Sequence, residues 1–163
     1  MKNNISFRSM LRAKQAMNQK ECIDLLVGEK RGVLSVLGDN GYPYGIPMDH
    51  WYCPEDGRLY FHGGKTGHKI DAIRRCDKAS YCVIDEGHLE EGEWALDFKS
   101  VIVFGRIEII EDQERVVEIS RNLSYKFLSD EAHIQMEIDR SAWRTLCFAL
   151  TPEHISGKRV KES

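Results

Sequence analysis

The segment Phe61-His62-Gly63-Gly64-Lys65-Thr66-Gly67-His68-Lys69 concentrates the residue types able to do chemistry in this chain. Its glycines let a backbone approach a ligand closely, and Lys65, His68 and Lys69 stand where a helix would begin. Free N–H groups and the positive end of the helix dipole at such a point attract an anion, phosphate above all. A flexible hairpin loop with solvated lysines has the same composition, so the residues leave both readings open. Gly64-Lys65-Thr66 also looks like the end of a P-loop. That motif, G-x-x-x-x-G-K-[ST], needs glycine at position 59, where the chain has Leu59, and a nucleotide triphosphatase is not expected.

The remaining candidates carry less. His50 and His62 lie at the ends of strands expected to pair across the turn Pro54-Glu55-Asp56-Gly57, and a lone strand histidine is more often structural than catalytic. Trp51, Trp94 and Trp143 read first as core or interface residues and second as ring-stacking partners. No serine, histidine and acid form a triad motif, and no carboxylate pair for glycosidic chemistry stands out. The five cysteines are widely spaced with no C-x-x-C, and the six histidines form no H-x-x-x-H, so reduced thiols and no metal site are expected.

Charge narrows the partners. Twenty-three Lys and Arg against 26 Asp and Glu give a net charge of -3, without the positive field of a general nucleic-acid binder. No apolar run is long enough for a membrane span, and MKNNISFRSM has no apolar signal-peptide core, so the cytoplasm is the expected location.

The elements that must hold the glycine loop follow from periodicity. Asn18 and Glu21 predict a capping box, with Ile23, Leu26 and Val27 at helical spacing and Gly28 as the stop. RGVLSVL then reads as a strand and Asp39-Asn40-Gly41 as a hairpin turn. In the return strand, Tyr44, Ile46, Met48, His50 and Tyr52 share one face, and Pro47, Asp49 and Trp51 the other. Pro47 marks that strand as irregular or at an edge. RLYFHG, KASYCVID, KSVIVFGRIEII and TLCFALT complete six strands, the last ending before Pro152. Helices are expected over HKIDAIRRC and from Asp112 to Asp139, and the acidic stretch from Asp85 to Glu93 as a solvated loop. With 163 residues the chain suits one domain: an arm and helix over 1–29, barrel strands with the loop helix over 31–110, and helices, last strand and tail over 111–163. Meandering strands without βαβ repeats predict a mainly β fold with flanking helices, an antiparallel barrel of six strands.

Taken in order, GYPYGIPM, RLYFHGGKTGHKIDAIRR and KSVIVFGRIE resemble the FMN-binding split-barrel proteins related to pyridoxamine 5′-phosphate oxidase. Together with the basic arm FRSMLRAK, they are most similar to the nitroimidazole-resistance branch. The resemblance implies a split barrel, a homodimer, and FMN at the interface. Carried onto this chain, it implies that the strand from Ile46 to Trp51 runs beside the flavin ring, with Pro47, Met48 and Asp49 as the best contacts. Phe61 and His62 approach the flavin and ribityl chain, and His62 is the candidate catalytic residue. Lys65, His68 and Lys69 belong to the phosphate loop, and Ser100 reaches the cofactor from the partner subunit. Pyridoxamine phosphate oxidases proper carry a C-terminal Arg-x-His that grips the substrate phosphate; this chain ends HISGKRVKES and lacks it. The expected function is a flavoenzyme passing electrons from a small-molecule donor to a small organic acceptor such as a nitroaromatic. A flavin carrier or FMN store is the alternative, and a haem or deazaflavin binder on the same barrel is a further one.

Overall fold

The computed structural model describes residues 6–161. A two-residue strand, β1 (Ala16–Met17), lies against the far end of the chain, and Asn18 then opens α1 (Gln19–Gly28). The Asn18 side chain accepts from the Glu21 N–H, and the Glu21 carboxylate accepts from the Asn18 N–H, which satisfies two helix-end donors as the sequence predicts. Gly28 is the last helical residue, and the chain leaves extended at Glu29.

β2 (Arg31–Leu37) and β3 (Pro43–Asp49) form the expected hairpin. Asn40 and Gly41 take positive φ of 56° and 77°, as a type I′ turn requires. There follow β4 (Trp51–Cys53), β5 (Arg58–Gly64), α2 (His68–Arg75), β6 (Lys78–Ile84) and β7 (Asp97–Ile110). α3 (Gln113–Tyr125), α4 (Glu131–Ser141) and β8 (Thr145–Lys161) complete the chain. The strands pair antiparallel in the order β3-β2-β6-β7-β8-β5-β4, with β1 beside β8. Both ends of that path belong to one stretch of chain. Its first half pairs with β2 and its second with β5, so the sheet curls into a half-barrel. β3 is thereby an edge strand, and Pro47 sits where a missing N–H costs least.

Eight strands replace the expected six, because β1 adds one and the return strand divides into β3 and β4. The return strand breaks at His50, whose buried ring is held by two hydrogen bonds to other elements. The last strand does not end at Pro152 but runs on to Lys161. Pro152 faces Gly105 where the register shifts between Phe104 and Gly105, and a bulge there tolerates the N–H that proline lacks. Gly105 is required at that place, since a Cβ would collide with the Thr151 carbonyl oxygen. The helical segment from Asp112 to Asp139 is two helices, because Asp130 accepts from the His133 N–H and starts a second one.

α1 and α2 cover one side of the sheet over Leu26, Leu34, Phe61, Tyr81, Val101 and Phe148. α3 covers β5 and β8 from the other side over Tyr60, Ile119, Cys147 and Ala149. Burial on both faces explains why Leu146-Cys147-Phe148-Ala149-Leu150 is continuously apolar instead of alternating. Among the described residues no helix is long and apolar enough to cross a membrane.

Candidate functional site

β5 delivers its last residues, Gly63 and Gly64, to the loop ahead of α2. Gly63 makes room for a cation: a Cβ there would stand 2.8 Å from Lys69 Nζ and 3.1 Å from Phe148 Cε2. The half-buried Lys69 ammonium points at Met48 Sδ, 3.5 Å away, and lies 5.3 Å from the Phe148 ring centroid. Among the described residues it pairs with no carboxylate, and burial holds its pKa below the ordinary lysine value. Gly67, at φ 118°, caps α2 without a side-chain hydrogen bond, and nothing lies within 4 Å of where its Cβ or that of Gly64 would be. Lys65 is exposed in the loop. His68 stacks on Tyr44 with centroids 4.1 Å apart and planes 10° from parallel. Its Nε2 lies 3.2 Å from the Asp39 backbone N and 3.6 Å from the Asp39 carboxylate.

The strand beside this loop splits its side chains as alternation predicts. Ile46 packs on the core and Met48 is buried, while Pro47 and Asp49 turn outward. The Tyr81 hydroxyl has two acceptors within reach, the Met48 carbonyl at 2.7 Å and His50 Nδ1 at 2.9 Å. Arg31 clamps Asp49 with contacts of 2.6 and 3.3 Å. Trp51 is half-buried, stacks on Tyr60 at 5.2 Å and packs on the core beneath α3. Phe61 is fully buried edge-on against Tyr81, so its side chain belongs to the core. His50 is a structural residue: Nδ1 lies 2.9 Å from Tyr81 O–H and Nε2 2.7 Å from the Leu26 carbonyl. Burial lowers its pKa to about 4, so the ring is neutral and ties α1 to the bend between β3 and β4.

His62 turns to a cleft of about 240 Å³ that it shares with Asp49, α3 and α4. Desolvation lowers its pKa and Lys69 adds to this, while Asp49 opposes it, so the neutral imidazole is favoured. Sequence reasoning missed the far wall of the cleft, Ser120, Phe127, Glu137 and Thr145 among others. One signal was available: Ser120, Leu123, Ser124 and Phe127 follow helical spacing along a single face.

The outer face of the sheet carries a continuous cross-strand row, Pro47–Val33–Cys82–Ile102–Ser156. The neighbouring rows hold Asp49 with Arg31, and Ile84 with Ser100 and Lys158. Val33, Ile84, Ile102 and Phe104 are exposed there. Ser100 shares this face with Pro47 and Asp49 but is not brought to them. Two strands intervene, a separation from Pro47 of roughly 14 Å at the usual strand spacing. Nor is Ser100 near the loop, since Cys147, which pairs with His62, meets β7 only at Ile110.

The sequence model of the pyridoxamine 5′-phosphate oxidase family matches residues 18–159. No curated protein matches the chain. Among solved structures, a candidate 5-nitroimidazole antibiotic resistance protein from Bacteroides thetaiotaomicron is 18% identical with a TM-score of 0.76, covering 90% of this chain and 87% of that one. An FAD-binding protein from Mesorhizobium loti is 22% identical with a TM-score of 0.64, over 90% of this chain and 97% of that one. A flavocytochrome from Azotobacter vinelandii is 20% identical with a TM-score of 0.72, over 92% and 71% respectively.

Proposed function

The chain belongs to the pyridoxamine 5′-phosphate oxidase family, and we propose that it is an FMN-binding oxidoreductase of the split-barrel type, active as a homodimer, with a small organic acceptor such as a nitroaromatic. The observation that carries this reading is Lys69: a half-buried cation without a carboxylate partner among the described residues, beside open glycine backbone at an uncapped helix start. Such a group awaits an anion, because an unpaired buried charge is otherwise costly. One short loop with one buried cation suits a single terminal phosphate.

FMN, when bound, supplies two-electron redox chemistry. The chain's residues bind and orient it. Lys69 and the leading N–H groups of α2 hold the phosphate, and Lys65 adds charge from the loop. His68 fixes the first helical turn through Tyr44 and Asp39. Pro47, Met48 and Asp49 form the edge beside the ring, with Asp49 oriented by Arg31. His62 places a neutral imidazole in the cleft where a reacting partner would sit. The exposed apolar face suits a second copy, which brings its own Ser100 to the cofactor.

The visible spectrum of freshly purified protein tests the cofactor, and chromatography of the released chromophore separates FMN from FAD. Anaerobic mixing with NADH or NADPH, followed by a nitroaromatic, tests turnover. Flavin that is bound but neither reduced nor reoxidised would make the chain a carrier or store.

A further inference from the structure

We infer that the Trp51–Tyr60 stack, with Asp56 as proton acceptor, is a one-electron relay that leads an oxidising charge from the cleft wall to the protein surface. The two rings face each other across the β4–β5 pair, with centroids 5.2 Å apart. Trp51 comes two residues after Asp49 and Tyr60 two residues before His62, and both Asp49 and His62 line the cleft. On the alternating strand β5, Tyr60 and His62 share a face and stand roughly 7 Å apart at the usual rise.

The phenol is placed to give up an electron and a proton together. Tyr60 is 1% exposed, and its O–H donates to the Asp56 carboxylate. Burial, and then Asp56 itself, push the Tyr60 pKa up, so the proton is present at neutral pH. Burial works against ionisation of Asp56. The hydrogen bonds from Tyr60 and the Arg58 N–H nevertheless hold its carboxyl below the ordinary range, so it is charged and free to take the proton. The Asp56 side chain is 35% exposed, which brings the far end of the relay to solvent. Arg115 donates to the phenol oxygen at 2.8 Å and fixes it, while Glu118 pairs with Arg115 at 2.6 Å and offsets a cation that would oppose oxidation. Tyr81, also fully buried, meets the rings of His50 and Phe61 instead of a tryptophan, and its acceptors are buried.

In the step, a one-electron oxidant, an oxygen- or nitrogen-centred radical or a photoexcited flavin, takes one electron from Trp51 and is reduced. Tyr60 returns that electron to Trp51, its O–H bond breaks, and the proton passes to the Asp56 carboxylate. A neutral tyrosyl radical then faces a protonated Asp56. A thiolate in solution returns one electron, becoming a thiyl radical, and Asp56 gives the proton back. That flavin chemistry supplies the oxidant rests on the proposed function; the chemistry of the relay does not.

Pulse radiolysis of the purified full chain with the azide radical oxidises tryptophan without any flavin. In wild type the tryptophan radical band should decay as a tyrosyl band rises. Tyr60→Phe, which keeps the ring and the stack, should remove the fast phase of that rise. Trp51→Phe and Asp56→Asn should each slow it by about tenfold or more. A fast phase that survives Tyr60→Phe, or that is indifferent to Trp51→Phe or Asp56→Asn, would overturn the inference. In flavin-bearing protein a blue flash makes the cofactor the oxidant, and the tyrosyl band should appear in wild type and not in Tyr60→Phe. Flavin bands without that difference would break the link to the cleft and overturn the relay as stated. Missing flavin bands would instead defeat the cofactor reading and leave the radiolysis outcomes to decide.

Discussion

Lys69 Nζ lies 3.5 Å from Met48 Sδ, which joins the first turn of α2 to the edge strand β3. A single side chain thus links the glycine loop to the strand proposed to flank the flavin ring, the two parts of the proposed cofactor site.

Removing that link should affect the phosphate end selectively. His68→Ala with Lys69→Ala should cost about 1.5–3 kcal/mol of FMN binding, roughly ten- to a hundredfold in Kd. Riboflavin, which lacks the phosphate, should lose far less. Fluorescence titration with both ligands checks this, and equal losses would show that the loop does not read the phosphate.

The second prediction concerns the outer face. Val33→Glu with Ile102→Glu changes two outward side chains in the row from Pro47 to Ser156, so the fold of one chain should survive. Self-association should be lost, and flavin occupancy with it, if the proposed dimer supplies Ser100 and the covering face from the second copy. Light scattering with absorbance decides it. A wild-type monomer carrying full flavin would refute the arrangement.

His62 is exposed and lines the cleft. His62→Ala should keep FMN bound and slow reoxidation of the reduced protein by a nitroaromatic acceptor. Stopped-flow absorbance on wild type and variant at matched flavin occupancy measures both. Identical rates would leave His62 a bystander.

His50 sets a pH dependence of stability. Its pKa falls from the ordinary 6.5 to about 4 on folding, so between those values the unfolded chain binds a proton that the folded one refuses. Stability from this group is complete above about pH 6.5 and is lost as pH falls toward 4, by about 3 kcal/mol in all. Urea midpoints from pH 7 to 4 should therefore fall more steeply for wild type than for His50→Gln, which cannot titrate. Parallel slopes would place the acid sensitivity elsewhere.

Much of this protein is written locally. The capping box at Asn18, the positive φ of Asn40 and Gly41, and the outward turn of Pro47 and Asp49 depend on residues within a few positions of one another, and the sequence alone determines them. The glycine loop and its cations were legible for the same reason. What depends on distant chain segments was not. Pro152 reads as a strand end until Gly105, on another strand, supplies the bulge that accommodates it. The resemblance implies that Phe61 and Trp51 lie near the flavin; only the tertiary structure shows that Phe61 packs edge-on against Tyr81 and that Trp51 stacks on Tyr60. The partner of Asp49 is Arg31 only because alternation puts Leu34 and Ile46 on the same inward face, which fixes the hairpin register. The cleft required that the segment from 112 to 141 break at Asp130 and fold back over His62. That break is a balance between helix continuation and a new cap, and the packing of Ile134 and Ile138 beside Val117 resolves it. Local propensity can propose such a break, but only burial across the tertiary structure decides it.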